Sequence, residues 1–120
     1  MSVTARRRTR SVASEVRKNF ISTLRKAGVE EKPEFAYCTN AIYHGVFRKS
    51  AREILAQKKL PASANLRDHL DDIDLSAVEL AEKLSAERIQ RNAIRGVSDC
   101  RDVCFEVGST VGAVVETLRE

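Results

Sequence analysis

The sequence is poor in the residues that punctuate or cross-link a chain. Five glycines and two prolines in 120 residues are too few turn formers for an architecture of many short strands, so long helices are favoured. Three cysteines, Cys38, Cys100 and Cys104, are odd in number and lack a framework spacing. That argues against a secreted disulfide scaffold and for a reducing cytoplasm. No apolar run approaches the ~20 residues of a membrane span. The opening MSVTARRRTRSVASEV has no apolar stretch of the secretory type, although its Arg- and Ser-rich, acid-poor composition is shared with mitochondrial presequences. Tryptophan is absent and aromatics make up 5%. What is present is an ordinary globular balance, 42% hydrophobic and 32% charged, at a length suited to a single domain with its own core.

The net charge of +4 is unevenly spread. Residues 1–27 hold eight basic side chains (Arg6, Arg7, Arg8, Arg10, Arg17, Lys18, Arg25 and Lys26) against Glu15, or +7. The remainder holds 13 basic and 16 acidic residues, or −3. A basic arm on a nearly neutral body reads as an attachment for a polyanion, nucleic acid first. A solvated tail is the plainer alternative for the first ten residues.

Hydrophobic spacing predicts helices throughout. Val12, Val16, Phe20 and Leu24 recur every four residues from Thr9 to Ala27, and Gly28 stands where a left-handed glycine ends a helix. Arg17, Lys18 and Arg25 fall on the opposite, basic face. VEEKPE, Val29 to Glu34, reads as a polar connector and divides a basic arm and amphipathic helix (1–27) from a helical domain (28–120). Ser50, or Lys49 before it, starts a short helix that Leu60-Pro61 stops. SANLRDHL adds a helical turn with Leu66 and Leu70 inward. Asp74 is the expected N-cap of a long helix with Val78, Ala81, Leu84, Ala86 and Ile89 inward, closed at Gly96. Ser98 or Asp99 then caps a last helix striped with Val103, Val107, Val111, Val114, Val115 and Leu118. The prediction is an all-α chain of five to six helices with a long C-terminal helix pair, packed or intertwined as a dimer.

Little of this is chemistry. Cys38 and His44 lie six positions apart, which on a helix leaves them about 120° apart around the axis, a poor nucleophile–base pair. Cys100 and Cys104 share a face and with Cys38 and His44 or His69 would supply four zinc ligands, but their apolar setting favours packing. The acids Asp68, Asp71, Asp72 and Asp74 fit helix caps better than a Mg²⁺ site. No catalytic residue, metal or cofactor is expected. Gly108 and Gly112 clear one helix face and let another backbone approach, within the chain or across a dimer. For a dimer the expected interface is Val107, Gly108, Val111, Gly112 and Val115.

TNAIYHGVF (Thr39–Phe47), KSAREI (Lys49–Ile54), LRDHL (Leu66–Leu70), LSAVELAE (Leu75–Glu82) and NAIRGVSDC (Asn92–Cys100) occur in an order and spacing that resemble the C-terminal domain of the DNA-damage-inducible protein D group. The C-terminal half of a Deinococcus DNA damage response protein is similar. Two departures stand out. The family usually carries glycine after the phenylalanine of the first motif, where this chain has Arg48. The basic segment 1–27 stands in place of the BRO-type N-terminal domain. The resemblance implies an all-α, dimer-forming domain that binds DNA or acts on recombinase filaments, without known catalysis. It assigns no role to Thr39, Asn40, Tyr43, Lys49, Arg52, Arg67 or His69.

The expectation is therefore a small helical homodimer that binds DNA without sequence preference, cytoplasmic and nucleoid-associated, with no membrane partner. Its phosphate contacts are expected at Arg6, Arg7, Arg8, Arg10, Arg17, Lys18, Arg25, Lys49 and Arg52. The alternative is a protein-interaction module directed at a recombinase or another host protein. Thr39-Asn40 is expected as a cap or turn, with Ile42, Val46 and Phe47 in the core.

Overall fold

A computed structural model describes the backbone of residues 3–120 and the side chains from Glu15 onward. Five α-helices and one 3₁₀ turn follow one another: α1 (Val3–Lys26), α2 (Lys32–Phe47), α3 (Ala51–Gln57), the 3₁₀ turn (Leu66–His69), α4 (Asp72–Arg91) and α5 (Val97–Arg119). No strand occurs among the described residues. The all-α prediction holds, and α4 and α5 form the expected long C-terminal pair.

The most extensive contact is between α2 and α5. Cys38 lies at the Val97 carbonyl, Gly45 lies against Phe105 to Ser109, and Arg48 pairs with Glu116. Residue numbers rise together on both helices, so the two run parallel. On α5 the small side chains Cys100, Cys104, Gly108 and Gly112 recur every fourth position and make one narrow face, all four buried. α4 packs antiparallel to α5, since Arg88 reaches Glu106 while Asp74 reaches Arg119. α1 lies on the other side of α4.

One apolar core joins all of these. Phe20, Leu24, Ala27 and Val29 from the end of α1 share it with Ile42, Val78, Ala81, Ile89 and Cys104. The Gly96 amide also donates to the Ala27 carbonyl at 2.8 Å, tying the end of α1 to the start of α5. The second half of α1 is thus built into the same body as the residues that follow it. Val12, the first residue of its predicted stripe, lies outside the described side chains.

Helix ends follow local chemistry that the sequence shows only in part. α1 ends at Gly28 (φ 103°), as its spacing predicts, and the Val29 amide reaches back to the Leu24 carbonyl. α3 and α4 end the same way, but on Lys59 (φ 61°) and Ala93 (φ 51°). The next amides, Leu60 and Ile94, bond back to Leu55 and Ile89. The contact of the following apolar residue, Leu60 or Ile94, with the core offsets the left-handed strain. α4 therefore stops before Gly96, which instead begins α5.

Asp71, not Asp74, is the N-cap of α4: its carboxylate accepts from the Asp74 amide at 2.8 Å. That bond and the Arg119 guanidinium hold the Asp71 carboxyl below its usual range. Ser50 caps α3 as predicted, in a reciprocal box with Glu53. Glu31 and Glu34 make the same box on α2, with Pro33 in its first turn. The connector before α2 is accordingly shorter than VEEKPE, and Thr39-Asn40 falls inside the helix rather than at a cap. α2 ends on Arg48 at φ 61°, ψ 19°. An arginine thus holds the left-handed conformation that glycine favours.

Candidate nucleic-acid and protein interfaces

The basic residues divide into those that are free to meet a ligand and those already engaged. Arg6, Arg7, Arg8 and Arg10 lie outside the described side chains. Lys18 is exposed, 3.8 Å from Glu15. Arg25 is exposed and covers the Phe35 ring at 5.5 Å. Arg17 is a correction to the phosphate-binding set. It donates to Glu82 Oε2 and to Thr39 Oγ1, both at 2.9 Å, and lies over Phe20. The amphipathic pattern placed Arg17 on an outward face, but α4 carries a fully buried acid directly opposite.

That acid, Glu82, organises the interior polar cluster. It is 0% exposed and accepts from Arg17 and, at 2.6 Å, from Arg67 through the same oxygen. Arg67 lies over the Tyr43 ring at 5.9 Å. Burial raises the Tyr43 pKa, so the phenol stays neutral. Thr39, Tyr43 and Arg67 come from the shared family motifs, and the structure gives them this common role in joining α1, α2, the 3₁₀ turn and α4. The legible signal was Glu82 itself, an acid set among Val78, Ala81, Ser85 and Ala86 on an otherwise buried stripe. A buried carboxylate requires a basic partner, although sequence spacing does not say which.

A second basic surface surrounds α3. Residues 48–59 carry Arg48, Lys49, Arg52, Lys58 and Lys59 against a single acid, Glu53, or +4. Arg52, Lys58 and Lys59 are exposed, and Lys49 Nζ reaches Gln57 Oε1 at 2.9 Å, which folds it along α3. Lys58 and Lys59 were missed because they follow the helix rather than belong to its periodic pattern. The other residues of 28–120 hold eight basic and fifteen acidic side chains, or −7, so the basic charge is confined to the arm and to α3.

Cys38, Cys100 and Cys104 are all 0% exposed, whereas His44 is exposed on the other side of α2. Burial pushes the Cys100 thiol up to about 11. A hydrogen bond with Cys38, together with burial, raises the Cys104 thiol further. Both remain protonated at neutral pH, which suits packing rather than nucleophilic chemistry. Among the described residues no group of three or more His, Cys, Asp or Glu side chains is placed to hold a metal ion.

The glycine face is also a correction. Gly108 and Gly112 are buried against α2 of the same chain, Val107 and Val111 are buried beside α4, where they line a hollow with Leu84 and Arg88, and Val115 is partly buried. A Cβ at Gly108 would meet the Ile42 carbonyl oxygen at 2.8 Å, and one at Gly112 would lie 2.8 Å from the α-carbon of Val46. Gly45 on α2 completes the crossing, since a Cβ there would meet the Ser109 amide at 2.5 Å. Gly108 and Gly112 pack inside one chain and are not free to make a dimer.

Two exposed apolar patches remain. Tyr37 (52% exposed) and Phe105 (39%) flank Arg101, whose guanidinium lies 5.7 and 5.0 Å from their ring centres. On the outer side of α4 and α5 lie Ile73, Leu80, Leu84, Val114 and Leu118. Sequence spacing predicts Leu84, Val114 and Leu118 inward, and the structure places them outward. Leu118 lies past the end of α2, and Val114 is on the side of α5 away from Gly108 and Gly112, so neither is covered. No helix among the described residues is long and apolar enough to cross a membrane.

No curated protein matches the chain. A family model described as the DinD C-terminal domain matches residues 3–120, essentially the whole length and including the motifs that meet at Glu82, and the chain belongs to this family of a DNA-damage-inducible protein.

Proposed function

We propose that this protein binds nucleic acid, DNA first, through its phosphates and without sequence preference. The observation that carries the reading is the segregation of charge. The arm contributes +7, the α3 surface contributes +4, and the rest of the chain is −7. A polyanion is drawn to the two basic regions and repelled elsewhere, which favours docking in a defined orientation. The contacts fall to Arg6, Arg7, Arg8, Arg10, Lys18 and Arg25 on the arm and α1. On the α3 side they fall to Lys49, Arg52, Lys58 and Lys59. Lys and Arg of this kind position a duplex through its backbone and carry no base readout.

The test is a titration of fluorescent duplex DNA across salt concentration. If each of these ten side chains neutralises one phosphate, log K falls with log[salt] at a slope near −9. Replacing Lys49, Arg52, Lys58 and Lys59 with glutamine makes the slope shallower by about 3 to 4. A flat salt response in the wild type refutes the reading, and an unchanged slope in the variant removes α3 from it.

A second reading has its own observation. Tyr37, Arg101 and Phe105 are of the residue types that concentrate binding energy in protein interfaces, and they sit together in the open. They support a protein-interaction role, such as an action on a recombinase filament or another host protein. A partner captured in high salt and nuclease, and lost on Tyr37→Ala with Phe105→Ala, would favour it.

A further inference from the structure

Where α2 crosses α5, the two backbones pair in register. A Cβ at Gly112 would lie 2.8 Å from the Val46 α-carbon, and one at Gly108 would lie 3.3 Å from the Ile42 α-carbon. With one carbon–carbon bond of about 1.5 Å added, the facing α-carbons are at most about 4.3 and 4.8 Å apart. Both pairs are offset by 66 positions, and one helical turn separates them. A further turn toward the N-termini, the same offset brings Cys38 opposite Cys104. Widening at that rate sets their α-carbons about 5–6 Å apart, inside the range of about 4.4–6.8 Å that disulfides span. The sulfurs already touch. The Cys104 thiol donates to the Cys38 sulfur, and the Cys38 thiol donates to the Val97 carbonyl, 3.9 Å away.

We propose that Cys38 and Cys104 are a peroxide-oxidisable pair that closes into a disulfide and locks α2 to α5. Cys38 is the attacking sulfur. The hydrogen bond from Cys104, with a smaller contribution from Arg101, holds its pKa below the usual thiol value despite burial. Cys38 attacks one oxygen of hydrogen peroxide and the O–O bond breaks. The departing hydroxide takes up the Cys38 proton and leaves as water. The Cys104 sulfur, already against Cys38, then attacks the resulting sulfenic acid. The S–S bond forms, the S–O bond breaks, and the hydroxyl leaves with the Cys104 proton as a second water. The two cysteines lose two electrons, which reduce one peroxide to two waters. A thiol reductant reopens the bond by exchange.

The third thiol is a bystander. Cys100 shares the small-residue face of α5 but lies one turn out of register with Cys38, and burial pushes its pKa up to about 11. All three sulfurs are 0% exposed, so only an oxidant near the size of water reaches them when the helices open briefly. Hydrogen peroxide is such an oxidant. A transient bond of this kind suits a reducing compartment, where disulfides serve redox sensing rather than permanent cross-linking. The consequence is mechanical. In the reduced chain α2 and α5 are held by packing alone. The disulfide would enclose α3, the 3₁₀ turn and α4 between its ends, and so restrain most of the unfolded chain.

The test treats the full native chain with hydrogen peroxide, alkylates the remaining thiols in urea and digests with trypsin for mass spectrometry. Cleavage after Arg101 puts Cys100 and Cys104 on separate peptides, 96–101 and 102–119, while Cys38 falls on 27–48. The expected product is 27–48 joined to 102–119, lighter than their sum by the two thiol hydrogens, with Cys100 alkylated. The Tm is expected to rise by roughly 10 °C, and dithiothreitol reverses both changes. Cys100→Ser is expected to form the same link. Cys104→Ser is expected to stop at a Cys38 sulfenic acid, which dimedone traps. Three free thiols after treatment, a link through 96–101, or a link between two chains overturns the inference. So does a linked form that melts no higher than the reduced one. A native chain whose links match those of a urea-unfolded chain, where the short loop from Cys100 to Cys104 closes most readily, overturns it as well.

Discussion

Gly112→Ala tests the internal crossing most directly, because two opposing effects have known signs. Alanine is favoured over glycine in a helix interior by about 1 kcal/mol, so on an open helix face the substitution would stabilise. At Gly112 the face is closed. The new methyl group would lie 2.8 Å from the α-carbon of Val46 and 2.9 Å from the Gly45 carbonyl oxygen, with the Val46 carbonyl oxygen nearer still. Ordinary van der Waals separation begins at 3.4 Å, so even the approach to the Val46 α-carbon is short by about 0.6 Å. All of these atoms belong to the backbone, and no side chain can turn away. α2 and α5 must part along a face that also holds Cys38, Ile42 and Cys104. Overpacking of this kind costs about 1–3 kcal/mol, and more where the surroundings are rigid.

Because the atoms met are rigid backbone, the upper part of that range applies, about 2–3 kcal/mol. Against the ~1 kcal/mol helix gain, the expected result is a net destabilisation of about 1–2 kcal/mol, or a fall in Tm of roughly 5 °C. Urea unfolding monitored by circular dichroism measures it. Ala113→Gly, at the exposed neighbouring position, isolates the helix propensity and should cost about 1 kcal/mol. If Gly112→Ala were as stable as the wild type or more so, the helices would not touch backbone to backbone there, and the account of the glycine face would fail.

Two further changes address the polar interior and the end of α2. Glu82→Ala leaves Arg17 and Arg67 without their shared carboxylate; since Arg17 is one-third exposed and can turn to water, the expected loss is about 2–4 kcal/mol in urea midpoint analysis. A loss below about 1 kcal/mol would mean the cluster is solvated in solution. Arg48→Gly exchanges a left-handed arginine for the residue that conformation favours. It forfeits only an exposed pair with Glu116, worth a few tenths of a kcal/mol. A net gain of about 0.5–1 kcal/mol is expected in thermal unfolding, and a loss would refute the strain assigned to Arg48.

Helix content and order were legible because each helix carries its own apolar stripe and several carry their own caps. Ser50 with Glu53 bounds α3, and Gly28 ends α1, by interactions between residues a few positions apart. α4 was misjudged at both ends for the same kind of reason. Asp71 competes with Asp74 for one cap, and Ala93 takes a conformation that its side chain disfavours because Ile94 then reaches the core.

The site residues were harder to assign because their roles depend on partners distant in sequence. Arg17 and Lys18 are neighbours of one charge, and nothing local distinguishes them. Glu82, 65 positions away, takes one inward and leaves the other in water. Gly108 and Gly112 announced a close approach of two backbones, and Gly45 was the missing third member. Whether that approach lay inside the chain or between two chains depended on where α2 runs. Sequence alone determined what local energetics control: helices, several of their ends, the basic arm and the family motifs. Tertiary structure decided which faces those helices present to one another. Burial of a charge or removal of a Cβ acquires meaning only through the group that comes to lie against it.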